Sequence, residues 1–334
     1  MHKDRIMRLS QFDYLKGVGI VLVLIGHAHV SSDVFTSLYL FHMPLFFVAS
    51  GCFFKLKEGQ GFKDYVIKKA KRLLVPYLFF LSIFICFNLL EVVLWHEEGE
   101  LTSGIIMKLI QFATGLLGNA QSLAYRTLWF LVCLFEVSIL YWFMAHVKDL
   151  KKRTLLSLGL FAIGYGLQTA NISAPYFIDS TLSVQLFYHI GYLFYNKGWY
   201  EKQFSPWASV VSLLIIFVCF NQANAMTDYR TNTYALPSVP LAFLILWNLY
   251  NIFLWLSESK LASSSSIKFL HLLGIESMSF YGLHRNFFLM IDGLMKQYGV
   301  NEYVITLVMV PVAIMGCLWL SKPLAEHIPR MIGK

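Results

Sequence analysis

The chain has 334 residues, of which 57% are hydrophobic and only 14% are charged. Globular proteins average about 45–50% apolar and about 25% charged residues, so this composition excludes an ordinary soluble domain and indicates a membrane protein. The net charge of +8 does not indicate nucleic-acid binding, because the basic residues lie at the edges of apolar blocks and no recognition module accompanies them.

Apolar blocks long enough to cross a bilayer recur along the whole chain. A helix needs about 20 mainly apolar residues to cross the hydrocarbon core. We therefore predict a single integral-membrane domain over residues 1–334, an all-α polytopic protein with about ten transmembrane helices. The predicted spans are 12–32, 36–54, 73–95, 127–147, 154–170, 181–196, 206–220, 236–256, 269–294 and 303–321.

The distribution of basic residues predicts the orientation of these spans. Most of the 27 Lys and Arg residues fall in alternate connecting segments, starting with the N-terminal segment. Cytoplasmic segments of membrane proteins are enriched in Lys and Arg. The pattern therefore predicts an even number of spans, with both termini in the cytoplasm. The exceptions are Lys108, Arg126, Arg230, Arg285 and Lys296.

The first predicted span contains two ionisable residues, Lys16 and His27, eleven positions apart. On an α-helix this spacing corresponds to a rise of about 16 Å and an angular offset of only about 20°. One helix face then presents a cation at the cytoplasmic mouth and a titratable imidazole deeper in the membrane. This arrangement suits a substrate with an anionic tail and a reactive head. Alternatively, Lys16 snorkels to the lipid headgroups and His27 hydrogen-bonds another helix.

The second span adds another histidine, His42, and with the first it resembles a known family. FDYLKGVGIVLVLIGH followed by FHMPLFFVASG is similar to the opening of the acyltransferase family 3 membrane proteins, in the branch that acetylates sugars. The marker of that family is a basic residue, ten residues and a histidine; Lys16 and His27 match it, with lysine replacing the more frequent arginine. Later similar segments are KAKRLLVPYL (69–78), RTLWFLVCLF (126–135) and SMSFYGLH (277–284).

The resemblance implies an O-acyltransferase of the bacterial inner membrane. It would move an acetyl or succinyl group from a cytoplasmic acyl-CoA to a hydroxyl of an extracytoplasmic polysaccharide or lipid-linked sugar. Acetyl-CoA is the favoured donor. His27 is the expected general base, since histidine has an ordinary pKa near 6.5. Lys16, Lys69 and Arg72 are expected to bind the CoA phosphates. The expected partners are acyl-CoA, the carbohydrate acceptor and the bilayer, with no metal; the oligomeric state stays open.

Further residues are candidates for holding the thioester oxyanion or the acceptor. Imidazole, indole and phenol groups can donate hydrogen bonds, and aromatic faces can stack on sugar rings, which points to His42, Trp129 and Tyr281. His284 and Arg285 are adjacent polar residues in one span, so they must face something other than lipid. The alternative for Trp129 and Tyr281 is an anchoring role at the membrane interface.

Glu136 lies deep in the fourth span and is a third catalytic candidate beside His27 and His42, where it would orient a histidine or receive a proton; a structural hydrogen bond is the alternative. A rival function is a polysaccharide or proton-coupled transporter, with His27, His42, Glu136 and His284 as a proton relay. No nucleophile elbow, phosphate-binding loop or dinucleotide motif is present. The histidines also lack the spacing of a metal site.

Overall fold

The computed structural model describes residues 10–95, 101–116, 123–202, 204–223, 228–230 and 233–334. Within these ranges the chain is helical, and no β-strand is present apart from one isolated bridge between Asp228 and Thr233. The prediction of an all-α protein is therefore confirmed. Residues 1–9, which belong to the first basic segment, lie outside the described residues.

The described ranges contain thirteen α-helices, and every predicted span coincides with at least one of them. Short 3₁₀ turns connect some of the helices. In chain order the α-helices are α1 Ser10–His27, α2 Ser32–Tyr39, α3 His42–Cys52, α4 Phe62–Trp95, α5 Leu101–Leu116, α6 Leu123–Ala145, α7 Leu150–Thr169, α8 Ile178–Asn196, α9 Pro206–Ala223, α10 Ser238–Glu258, α11 Ser265–Ile275, α12 Ser277–Gln297 and α13 Glu302–His327.

Two of the predicted spans are not continuous helices. The block 36–54 is divided into α2 and α3 by a turn at Leu40 and Phe41. Proline has no backbone N–H, and the first turn of a helix is where it fits without removing a helical hydrogen bond. A new helix that begins at His42 places Pro44 in such a position. The block 269–294 is likewise divided into α11 and α12 at Glu276.

Five segments within the described residues are long and apolar enough to cross a membrane: Asp33–Cys52, Phe62–Leu94, Leu128–Ala145, Ser238–Glu258 and Glu302–His327. Neither α1 nor α12 is among them, because their polar residues lower the mean hydropathy. Those same residues carry the predicted chemistry. A total of ten crossings, and the orientation of the termini, stay predictions.

Helix α13 presents an aromatic residue to the surroundings near each of its ends. Tyr303 is 81% exposed and Trp319 is 77% exposed, and they lie about 24 Å apart along the helix axis. Exposed aromatic residues with this separation are typical of the two interfaces of a membrane. The hydroxyl of Thr306 donates to the carbonyl of His29 at 3.3 Å, so the C-terminal end of α1 lies at the level of Tyr303.

Glycines bring the central helices into backbone contact. A Cβ at Gly51 of α3 would collide with the carbonyl oxygen of Tyr188 in α8, and a Cβ at Gly191 of α8 would collide with the carbonyl oxygen of Val48 in α3. Helices that cross at glycine can approach more closely than any other residue allows. This crossing fixes the position of α3, which begins with His42.

Replacing Gly191 by alanine is therefore expected to destabilise the protein. The new methyl group meets backbone and not a flexible side chain, so we expect a cost of about 3 kcal/mol or more in the free energy of unfolding. Thermal unfolding of the purified protein in detergent measures this effect. Gly159→Ala is the matched control, because a Cβ there meets nothing within 4 Å. Equal melting temperatures for the two variants would contradict the tight crossing.

Candidate active site at the crossing of α1 and α12

The structure brings two of the predicted site histidines together. His27 is the last residue of α1, and His284 lies within α12. The centroids of their rings are 5.1 Å apart, with an angle of 40° between the ring planes. Arg285 donates from Nη1 to the carbonyl oxygen of His27 at 3.5 Å. The three polar residues thus face one another between α1 and α12, as expected for polar groups that avoid lipid.

The hydrogen bonds of His284 and His42 determine which ring nitrogen carries the proton. Nδ1 of His284 lies 2.9 Å from the carbonyl oxygen of Phe280, and Nδ1 of His42 lies 2.5 Å from that of Leu38. A carbonyl oxygen can only accept, so Nδ1 is the donor in both rings. Both side chains are fully buried, and neither Nε2 has a hydrogen-bond partner among the described residues. Each neutral ring therefore presents a lone pair and no donor.

Tyr281 and Trp129 are core residues in this structure. The hydroxyl oxygen of Tyr281 accepts a hydrogen bond from the backbone N–H of Phe130 at 3.2 Å, and its ring lies 6.5 Å from that of His284. Trp129 is buried against the rings of Phe130 and its neighbours. Neither residue is an exposed anchor at an interface. Tyr281 links α6 to the histidine-bearing helix α12, whereas the Trp129 ring packs against those of Phe47 and Phe177.

Glu136 belongs to a different cluster. The Thr181 hydroxyl in α8 donates to Glu136 Oε2 at 2.7 Å, and Thr181 also contacts Cys133 at 3.3 Å. Thr181 thus serves as a hydrogen-bonding partner for Glu136 and Cys133 between α6 and α8. Among the described residues, no hydrogen bond joins Glu136 to His27, and the structure does not bring these two predicted catalytic residues into contact.

Two of the predicted donor-binding residues are held in place by contacts within the chain. Lys16 forms an ion pair with the buried carboxylate of Asp13 at 2.7 Å, and His271 of α11 lies 3.7 Å from the same carboxylate. The sequence analysis did not point to His271. The ammonium of Lys69 lies 5.5 Å from the centre of the Tyr65 ring. A carboxylate thus positions Lys16, and an aromatic ring positions Lys69.

Arg72 lies at the same end of the molecule as Lys16. It is exposed on α4, and a Cβ at Gly333 would lie 2.9 Å from its carbonyl oxygen. The next residue, Lys334, forms an ion pair with Glu276 at the junction of α11 and α12. Helix α11 also packs against the part of α1 that contains Lys16. Lys16, Arg72 and Lys334 therefore lie around one end of the α11–α12 pair.

Sequence reasoning missed Arg230, a largely but not fully buried cation that lies outside the helices. It pairs with Asp228 at 2.6 Å, and its guanidinium lies 5.7 Å from the centre of the Tyr39 ring. Although burial opposes its charge, the Asp228 carboxylate raises the pKa of Arg230 above its ordinary value. The Tyr39 ring in turn contacts the His42 ring edge-on, with 4.5 Å between the ring centroids. A connecting segment normally places its charges in water, which is why nothing in the sequence pointed to Arg230.

The candidate site contains three histidines and two arginines, and its chemistry is that of proton transfer and anion binding. No group of three or more His, Cys, Asp or Glu side chains suited to a metal ion occurs among the described residues.

Residues 9–322 match the sequence model of a protein family that is described as an acyltransferase domain. The chain belongs to acyltransferase family 3. Within this member of the family, the first-span residue His27 meets His284 of the late SMSFYGLH segment. The RTLWFLVCLF segment joins them through the contact of Phe130 with Tyr281. Segments that resembled the family separately in the sequence are thus neighbours in space.

Curated relatives of this acyltransferase family 3 chain include two bacterial proteins. It is 29% identical over 237 residues to the nodulation protein NolL of Mesorhizobium japonicum, covering 63% of this chain and 55% of that protein. It is 27% identical over 247 residues to the nodulation protein NolL of Sinorhizobium fredii, covering 69% and 60% respectively. The chain therefore spans less than two thirds of the length of these relatives. No solved structure matches it.

Proposed function

We propose that the protein is a membrane O-acyltransferase of the bacterial inner membrane. It transfers an acetyl or succinyl group from cytoplasmic acyl-CoA to a hydroxyl of an extracytoplasmic polysaccharide or lipid-linked sugar. The observation that carries the proposal is the pairing of His27 with His284 at one end of α1, while the cation Lys16 lies at the other. Family membership supports the reaction class.

The two ends of α1 correspond to the two ends of the donor. Lys16, Lys69 and Arg72 surround the end assigned to the cytoplasm, where they bind the CoA phosphates. His27 is about 16 Å further along the helix axis. That distance is of the order spanned by the pantetheine arm of CoA, so the thioester reaches the imidazole while the phosphates stay with the basic residues.

His27 acts as the general base in this mechanism. It accepts the proton of the acceptor hydroxyl as the oxygen attacks the thioester carbonyl, and it returns that proton to the departing CoA sulfur. The Nε2 lone pair of His284 has no hydrogen-bond partner among the described residues, and in this mechanism it accepts an N–H from His27 as the reaction proceeds, as the third member of a catalytic triad does. Direct transfer in this way needs no acyl-enzyme intermediate.

The transporter alternative requires Glu136 to join the histidines in one proton relay. In the structure Glu136 is hydrogen-bonded to Thr181 in a cluster of α6 and α8. We therefore favour the transferase, which does not require Glu136 to lie among the histidines.

Binding of acetyl-CoA to the purified protein in detergent tests the donor assignment. We expect saturable binding that Lys16→Ala and Arg72→Ala each weaken by about tenfold or more, because each variant removes a charge-assisted contact with a phosphate. Lys260→Ala is the control, since this exposed lysine lies in another predicted cytoplasmic segment. Equal affinity of all variants, or no binding to the folded wild type, would refute a donor site at this end of α1.

A further inference from the structure

The proposed reaction creates a negative charge that the buried histidines cannot stabilise. When the acceptor oxygen attacks the thioester, an oxyanion develops on the carbonyl, and such a charge needs hydrogen-bond donors aimed at it. His42 and His284 both use Nδ1–H on backbone carbonyls and present only a lone pair at Nε2. The donor must therefore come from another residue.

Arg230 is held rigidly beside these histidines. Its Nε and Nη2 donate to the same carboxylate oxygen of Asp228 at 3.2 and 2.6 Å, and its backbone N–H donates to the other oxygen at 3.0 Å. The Asp228 backbone is paired with Thr233 in both directions, and the Ser180 hydroxyl donates to the Arg230 carbonyl at 3.4 Å. A guanidinium fixed in this way needs no reorganisation during a reaction.

Arg230 lies near the histidines of the candidate site and is largely shielded from water. Its side chain is only 12% exposed. Its guanidinium lies 5.7 Å from the centre of the Tyr39 ring, and the same ring lies 4.5 Å from the His42 imidazole, centroid to centroid. Arg230 is also close enough to His27 to interact with it electrostatically.

We propose that Arg230 donates the hydrogen bond that stabilises the oxyanion of the acyl-transfer step, an inference that rests on the transferase proposed above. The new C–O bond forms as the acceptor proton passes to His27, and the carbonyl π electrons move onto the oxygen that faces Arg230. Collapse of this tetrahedral intermediate breaks the C–S bond. The CoA sulfur leaves with the electron pair and takes the proton from His27.

Arg285 is the other guanidinium near the pocket, and its geometry suits a different role. It donates to the carbonyl oxygen of His27 at 3.5 Å and so fixes the end of α1. Among the described residues, the guanidinium of Arg230 contacts the Asp228 carboxylate and the face of the Tyr39 ring, and these contacts orient it.

Steady-state kinetics of Arg230→Gln and Arg230→Lys test the proposal. The purified protein is supplied with radiolabelled acetyl-CoA and a panel of p-nitrophenyl glycosides, and water is the acceptor in their absence. Loss of one oxyanion donor typically lowers kcat by about 10²–10³-fold. We expect that loss for Arg230→Gln with an unchanged KM for acetyl-CoA, a smaller loss for Arg230→Lys, and partial recovery of Arg230→Ala by added guanidinium. Lys260→Gln is the control, because Lys260 is exposed and lies outside the proposed donor and catalytic sites.

The outcomes separate this inference from the function on which it rests. A wild-type protein that binds acetyl-CoA but never transfers its acetyl group would refute the proposed function. Wild-type kcat in Arg230→Gln would overturn the inference alone. A raised KM for the glycoside with normal kcat would also overturn it, because Arg230 would then bind the acceptor. If Arg230→Gln does not fold, Arg230→Lys keeps the charge and decides the question through its kcat.

Discussion

Replacement of His27 by glutamine is expected to leave acetyl-CoA binding intact and to reduce acyl transfer by about 10²–10⁴-fold, the range by which a positioned general base accelerates proton transfer. Glutamine has a similar size and can hydrogen-bond, but it cannot take up the proton of the acceptor hydroxyl. The loss should therefore appear in kcat and not in the dissociation constant of the donor. Rapid-quench transfer assays and equilibrium binding of acetyl-CoA measure the two quantities separately.

The matched control for His27→Gln is His327→Gln. His327 is an exposed histidine at the end of α13, where its Nδ1 donates to the Pro323 carbonyl at 2.9 Å. The His327→Gln variant should retain the wild-type kcat. A wild-type kcat in His27→Gln would show that another group is the base and would remove the main residue assignment of the transferase proposal.

His284→Phe is expected to cause the second large loss, about 10²-fold in kcat. The phenyl ring preserves the packing between α1 and α12 but removes the Nε2 lone pair, which lies on the ring 5.1 Å from that of His27. Without this acceptor His27 is free to adopt the wrong tautomer. His284→Gln restores an acceptor atom and should recover part of the activity.

A double variant distinguishes this orienting role from an independent contribution. Residues that act as one catalytic unit give strongly non-additive losses. His27→Gln combined with His284→Phe should therefore be no slower than His27→Gln alone. Multiplicative losses would mean that His284 acts on the substrate directly, for example as a ligand of the acceptor sugar.

The fold was predictable wherever it depends on local properties of the chain. Each predicted apolar block coincides with a helix, because block length and helix periodicity are visible in a single sequence. The two broken blocks were not predicted. Residues 36–54 were predicted as one span, whereas the chain ends one helix at Tyr39 and begins another at His42. Where a helix restarts depends on what its neighbours pack against.

The site was predictable only in part, for a related reason. Lys16 and His27 share one helix, so their common face follows from the spacing of residues on an α-helix alone. Glu136 is also a buried polar residue in an apolar block, yet it pairs with Thr181 and not with a histidine. Sequence alone marks such residues as polar groups that need a partner, and it does not say which partner.

The sequence by itself determined that this is a helical membrane protein of acyltransferase family 3, with a basic residue and a histidine on one face of its first helix. Only the tertiary structure decided that His284, far along the chain, faces His27 and that Arg230 lies against Tyr39 beside His42. Hydrophobicity and helix geometry are encoded over a few turns of chain. The contacts that assemble the site arise from helix packing, where close crossings at glycines such as Gly51 and Gly191 set the distances between residues remote in sequence.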